Sequence, residues 1–452
     1  MLMQVLVSIS FTNSLTYSLA NFYPESVSLV ASIAWASNIP LINVKTNGLI
    51  GMCRLQLRHH DIIESKLNVD SKFDLRVANP FPELVEFFHR FQFDYNTGTV
   101  NDKDIAHIPY VVILYHTIQL WKRNGNELPL KTKALKDEFN KVVASWVPST
   151  VNINDLVNFE EATKQLNVLN CTKPCVLPDE VMELMNKIVQ TPLDVLNYTP
   201  FEVLVRSLHF FISTYQDIPL IGKVPDMHSS SELFISLQQL FKDKANDDRR
   251  KFREIVNQQL MQLQCDPGAI TKDDVDVFCS NLFDLSRLVT RSIDDELSSV
   301  DSNTITEALY DPYQDAAQTP ILYYICLRCV DNFRIKYNYY PGIHSRTHLL
   351  ILAYSLLAHL GELSDHLESD VGLLWDEIVT FLSTNGLDIP ALTIDHAKEV
   401  VRFGNSQLHI TAAFMGGIVS QEAVKVITRQ YIPINNTYIY NGICSVSAAH
   451  TL

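Results

Sequence analysis

The sequence holds neither a G-x-G-x-x-G run nor a G-x-x-x-x-G-K-[ST] run. Both motifs work because glycines let backbone N–H groups close on phosphate oxygens beside a helix N-terminus. Without either, a self-sufficient nucleotide-using enzyme is disfavoured. Gly48-Leu-Ile-Gly51 comes nearest, and it reads as a turn between strands. Cysteine is sparse, at eight in 452 residues: Cys53, Cys171, Cys175, Cys265, Cys279, Cys326, Cys329 and Cys444. That is too few for a disulfide framework, so reduced cytoplasmic or nuclear thiols are expected. Positive charge is also short, with 36 Lys and Arg against 51 Asp and Glu and a formal charge of −15. Nucleic-acid binding needs clustered cations to neutralise phosphates, so that class is disfavoured. Long apolar runs are missing. Leu349–Leu360 is broken by His359 and too short to span a bilayer, and no basic residue precedes the apolar stretch Met1–Phe11 as a secretory signal requires. No membrane segment is expected, and the sequons at Asn170, Asn197 and Asn435 then carry no weight.

What is present reads as globular: 47% hydrophobic and 19% charged residues, with length for two to four domains. The first region is α/β. Glu25–Asn38 predicts a helix with Leu29, Val30 and Ile33 on its apolar side, and Ile39–Val44 a short strand. Met52–Arg58 alternates as a half-buried strand would, with Cys53, Leu55 and Leu57 on one face. From about residue 80 the periodicity is helical. His107–Arg123 sets Tyr110, Ile113, Leu114 and Ile118 on one face, and Phe201–Tyr215 repeats apolar residues at helical spacing. Ser229–Glu232 is a capping-box pattern leading into Leu233, Phe234, Leu237, Leu240 and Phe241. Thr271 with Asp274 caps a further helix, and Thr319–Pro320 starts one running to Tyr337 that Pro341–Gly342 ends. Asp243–Asp248 and Asp294–Ser302 read as exposed connections or helix ends. The last fifty residues return to α/β. Ser406 caps a helix from Gln407 to about Arg429, where Gly416–Gly417 implies close backbone approach. Tyr431–Ile434, Asn435–Asn436 and Thr437–Tyr440 read as strand, turn, strand. The expected architecture is therefore one sheet domain interrupted by a large helical insertion.

Candidate chemistry is thin. Asn170–Cys171–Thr172 offers a cysteine followed by threonine, as in enzymes that carry a modifier as a thioester. No nearby His or basic group would lower its pKa, so a loop cysteine is the reading. Cys171–Cys175 and Cys326–Cys329 have the spacing of half zinc sites, but Cys326 and Cys329 share a helix with Ile325 and Val330 and read as core. His344 and His348 lack the glutamate of a metalloprotease motif, and His59–His60 reads as an exposed strand end.

Several segments in order resemble the regulatory, non-catalytic subunit family of the neddylation activating enzyme, also called the amyloid-precursor-protein-binding protein family, in the ubiquitin-activating-enzyme superfamily. They are Pro24-Glu25-Ser26, Ile39-Pro40-Leu41 with Thr46–Gly51, Ile63-Glu64-Ser65, and Asn79-Pro80-Phe81-Pro82-Glu83-Leu84. Asn158-Phe159-Glu160-Glu161-Ala162 follows. Pro219–Gly222 with Pro225-Asp226-Met227, Leu237-Gln238 and Lys244-Ala245 form the most specific block. Next come Cys279-Ser280-Asn281 with Arg287 and Arg291-Ser292, then Tyr340-Pro341-Gly342. The C-terminal run contributes Thr411-Ala412-Ala413, Gly416-Gly417, Gln421-Glu422, Lys425, Thr428 and Asn435–Tyr440.

The resemblance implies a partial Rossmann-like, inactive adenylation-type α/β segment over residues 1–62. It implies a helical domain over 63–400, corresponding to the catalytic-cysteine domain region, and a return to the α/β domain over 401–452. It further implies a heterodimer with a catalytic subunit that holds ATP, Mg²⁺ and the thioester cysteine, acting on a ubiquitin-like modifier. No cofactor, metal or catalytic residue is then expected on this chain. The partner-binding residues implied are Asp226, Met227, Ser230, Leu233, Phe234, Leu237, Gln238 and Gln239; alternatively that stripe packs only within its own domain. The family's opening strands, vestigial nucleotide loop and the basic residue lent to the partner's ATP site are expected upstream of residue 1. Ser345–Asp365 has no counterpart. Two rival functions remain open: a stand-alone adenylating enzyme, and a truncated adaptor that binds partners without supporting activation.

Overall fold

The computed structural model describes residues 5–11, 14–64, 73–100, 105–148, 151, 156–166, 177–193, 198–310, 315–343 and 360–452. The chain divides into two compact units, Met1–Ile62 with Arg287–Leu452, and Ile63–Ser286. Each has its own core.

The first unit opens with strands β1 (Val5–Phe11) and β2 (Ser14–Ala20), helix α1 (Pro24–Ala36), and strands β3 (Leu41–Asn47), β4 (Ile50–Gln56) and β5 (His60–Ile62). Proline in the first turn of α1 fixes φ without losing a bonded N–H. The helix buries Val27, Ala31 and Ala34, whereas Leu29 and Ile33, expected on its buried side, are 63% and 54% exposed. Ala31 and Ala34 win because a helix crossing a sheet closely needs small side chains beneath it. β4 is buried along its whole length, not half-buried, and His60 is buried rather than an exposed strand end.

The second unit is helical: α2 (Pro82–Phe88), the short pair β6 (Phe93–Asp94) and β7 (Thr99–Val100), then α3 (Tyr110–Arg123), α4 (Lys133–Ser145), α5 (Val157–Lys164), α6 (Asp179–Gln190), α7 (Pro200–Tyr215), α8 (Ser231–Gln262) and α9 (Lys272–Ser280). Two apolar clusters fill it, one around Phe87, Phe88, Trp146 and Phe241, the other around Phe201, Phe252 and Phe278. The Thr271–Asp274 capping box forms as the sequence predicts. The cap of α8 is Ser230, not Ser229, its side chain accepting from Leu233 N at 3.3 Å. Asp243–Asp248 is no connection but the middle of the 32-residue α8. Asp248 is buried there, accepting from Leu220 N at 3.1 Å and paired with Lys244.

After β8 (Ser286–Leu288) the chain returns to the sheet unit with α10 (Ile293–Ser298), α11 (Ser302–Glu307), α12 (Pro320–Tyr337), α13 (Leu360–Thr384), α14 (Ile394–Phe403), α15 (His409–Thr428), β9 (Thr437–Asn441) and β10 (Val446–His450). The helical segment expected to run to residue 400 thus divides at Ser286, because α12, α13 and α14 pack in one cluster with Ile50, Met52 and Ile439 of the sheet. Its strand order is β1-β2-β3-β4-β9-β10. β2 and β3 are parallel, joined through α1, and the other neighbours are antiparallel. A mixed α/β sheet flanked by helices is the fold class expected. Tyr431–Ile434 forms no strand; the C-terminal hairpin is β9–β10 instead. Ser406 does not cap α15, whose N-cap is Leu408 without a side-chain bond.

Cys326 and Cys329 are fully buried in α12, as the helical spacing predicts. Cys171, Cys175, His344, His348, Asn170 and Asn197 lie outside the described residues, as does most of Ser345–Asp365.

Two expected outcomes follow from the cores. Gly342 sits at φ +86°, where a Cβ would run into the backbone of Val401. Gly342→Ala should cost about 2 kcal/mol in urea unfolding, since both the backbone strain and the clash oppose it. Burial holds His60 and His116 at about 4, assisted by Arg429 beside His60; near His116 the Phe88 carbonyl opposes the shift. Both native imidazoles are therefore neutral where unfolded ones, at about 6.5, take a proton. Their contribution is complete above about pH 6.5 and is lost as pH falls toward 4, by up to about 1.4 kcal/mol per pH unit for each. Urea midpoints at pH 7 and 5 measure it, and His116→Asn should flatten the slope.

Candidate functional site

Period-two alternation along β3 and β4 turns their side chains to opposite faces of the sheet. On one face Asn43, Lys45, Met52 and Arg54 border a cavity of about 240 Å³ closed by α1, α10 and α12. The charges around it are matched. Arg54 Nε lies 2.6 Å from Glu296 Oε2 as an ion pair, with the N–H off the line of a hydrogen bond. Arg54 also donates to Thr437 Oγ1 at 3.1 Å and to the Arg291 carbonyl at 3.2 Å. Tyr324 donates its hydroxyl to Glu296 at 2.7 Å, and Arg328 donates to the carbonyls of Glu296 and Leu297. Lys45 pairs with Asp331. Burial lowers the Arg54 pKa while the Glu296 carboxylate opposes the shift, and burial raises that of Tyr324. Glu296, within a stretch expected to be exposed, is thus the buried hub of this face.

On the other face Ile42, Val44, Cys53 and Leu55 pack against Met415, Ala423 and Val426 of α15. The close approach expected at Gly416–Gly417 occurs at Gly51, where a Cβ would lie 2.5 Å from Met415; nothing lies within 4 Å of a Cβ at Gly416 or Gly417. Glu422, also on the buried side, accepts from Lys425 Nζ at 2.6 Å and from Ile434 N at 2.8 Å.

The outer side of α15 carries a second apolar stripe. Ile410, Phe414, Gly417, Gln421 and Val424 recur at i, i+4, i+7, i+11 and i+14, which places them on one helix face. Ile410 is 78%, Phe414 40% and Val424 51% exposed. By length and composition α15 could cross a membrane, with 28% of its window buried. Its inner face is nevertheless committed to the sheet, which leaves one side free for another surface.

The residues implied as partner-binding divide differently. Met227 and Leu237 are buried in the helical unit's own core, and Leu233 and Phe234 pack against it half-buried. Ser230 is occupied as the α8 cap. Asp226, Gln238 and Gln239 are exposed, and Gln239 donates to Asp243 at 2.8 Å. The apolar stripe of α8 therefore serves its own unit, while the free apolar face lies on α15. Sequence reading missed that face because α15 is apolar nearly all round, and only the sheet decides which stripe is covered. The one signal was Gly416–Gly417, misassigned to an internal contact.

No described thiol here resembles a nucleophile. Burial raises the pKa of Cys53, Cys279 and Cys326, and that of Cys329 to about 12. Among the described residues no group of three or more His, Cys, Asp or Glu side chains could hold a metal ion.

No family model matches the chain. Individual proteins do. The NEDD8-activating enzyme E1 regulatory subunit of Xenopus laevis is 30% identical over 452 residues, taking in 98% of this chain and 78% of that protein. That of Gallus gallus is 30% identical over 451 residues, with the same coverage of 98% and 78%. The Arabidopsis thaliana regulatory subunit AXR1 is 30% identical over 439 residues, covering 96% of this chain and 75% of its own.

Proposed function

Because the chain belongs to the family of NEDD8-activating enzyme E1 regulatory subunits, we propose that it works by contact, as the partner of a separate catalytic subunit to which the chemistry is left. The observation that carries this reading is the two-sided apolar character of α15. One stripe packs on the sheet and the other, through Ile410, Phe414 and Val424, is open to solvent. A helix of this kind fits between two protein surfaces, and exposed Gly417 would let the second one approach closely. The catalytic subunit supplies ATP, Mg²⁺ and the thioester-forming cysteine, and the ubiquitin-like modifier is the substrate of the pair. On this chain no residue is assigned a chemical step and no cofactor is bound. A cytoplasmic location suits the free thiols at Cys53, Cys265, Cys279, Cys326, Cys329 and Cys444.

The test is size-exclusion chromatography of the chain with and without the catalytic subunit, followed by a thioester assay on each fraction. Co-elution, and modifier thioester formed only by the pair, is the expected result. Modifier-dependent pyrophosphate exchange by this chain alone would refute the reading.

A further inference from the structure

We propose that the cavity enclosed by α1, β3, β4, α10 and α12 binds a small uncharged molecule with an apolar body and one N–H donor. Its volume is about 240 Å³; a cavity of roughly 150 Å³ already accepts benzene. A fused bicyclic ring therefore fits. Val27, Met52, Ile293, Leu297 and Ile335 supply apolar wall, and such walls with few polar groups are the usual make-up of small-molecule sites.

The charged groups narrow the guest. Arg54, Arg328 and Glu296 satisfy one another or nearby carbonyls, and Lys45 is paired with Asp331. A phosphate, carboxylate or ammonium guest would have to break one of these pairs and leave its partner buried and uncompensated. A neutral guest disturbs none of them.

The polar contact comes from Asn43. Its side chain is 5% exposed and borders the cavity, and its Oδ1 has no hydrogen-bond partner. Buried carbonyl oxygens are ordinarily paired, because leaving them unpaired forfeits hydration without compensation. An N–H donor seated in the cavity would complete Asn43. Entry is past Leu297 and Ile335, which are 43% and 57% exposed.

The probe is indole, compared with benzofuran, which has nearly the same shape and no donor. Each is titrated into the complex of this chain with its catalytic subunit by isothermal calorimetry. Indole is expected to bind one-to-one, and benzofuran roughly fivefold more weakly, the worth of one ordinary hydrogen bond. Ile335→Trp, a change at an exposed rim position, should abolish both by filling the entrance. Asn43→Leu should make the two probes equal; should it fail to fold, the rim variant and the probe comparison still decide. Absence of saturable indole binding, meaning that ordered water alone fills the cavity, overturns the proposal. So does equal affinity for the two probes in the unmodified chain, or indole binding unchanged by Ile335→Trp.

Discussion

Phe414→Asp will weaken association with the catalytic subunit at least about a hundredfold while leaving the melting curve of the chain itself unchanged. Phe414 is 40% exposed, and its ring centroid lies 4.3 Å from that of Tyr440, so an aspartate there meets water in the free chain. In a complex it would forfeit about 1.5–3 kcal/mol of apolar burial and would desolvate a carboxylate without a partner. Each 1.4 kcal/mol is tenfold in affinity, so a loss near 3 kcal/mol already gives the hundredfold effect. Gly417→Leu provides the control against misfolding. With nothing within 4 Å of a Cβ at that position, the substitution should stabilise α15 by roughly 0.8 kcal/mol through helix propensity. The same side chain should obstruct the partner. Stability up and affinity down cannot both come from damage to the fold. Native-like affinity in Phe414→Asp, measured by calorimetry, would remove α15 from the interface.

Glu296→Ala should cost about 3–5 kcal/mol in urea unfolding. Arg54 and Glu296 are 3% and 8% exposed at their side chains, and the same carboxylate takes the Tyr324 hydroxyl. Removing the carboxylate leaves the Arg54 charge buried without its counter-ion. The double variant Glu296→Ala with Arg54→Met should recover part of the loss, since an apolar pair replaces the stranded cation. If the single variant costs less than about 1 kcal/mol, the buried pair is not what secures this face of the sheet.

Local chemistry was readable in the residues; partners distant in sequence were not. The Thr271–Asp274 capping box and the start of α12 at Pro320 depend on neighbours within one turn, and both form where the sequence places them. Strand β4 was misread for the opposite reason. Arg54 and Gln56 suggest a wet face, yet both are buried. Gln56 donates to the Ala31 carbonyl at 2.9 Å and accepts from Ile293 N at 2.8 Å, a residue 237 positions away. Alternation reports polarity, and a polar residue can be inside when its partners arrive from elsewhere. In α1 the rule that larger apolar side chains face inward failed because the sheet demanded alanine. As for the site, the family was legible from ordered motifs, whereas the open face was not. The implied segment Asp226–Gln239 has its apolar residues Met227, Leu233, Phe234 and Leu237 in its own core. No local pattern distinguishes an inward stripe from an outward one on α15.

The place of β4 between β3 and β9 also sets a schedule for synthesis. β3 and β4 are joined by the short turn at Gly48–Leu49 and can pair as soon as both leave the ribosome, whereas β9 begins only at Thr437. At about 5–20 residues per second, the intervening stretch of about 380 residues takes roughly 20 to 75 seconds to translate. For that interval the hydrogen-bonding edge of β4 has no neighbour, and an open strand edge invites pairing with other chains. Nascent protein should therefore depend on chaperone cover until its last residues emerge, and ribosome-bound chains stopped before Thr437 should aggregate more readily than finished ones.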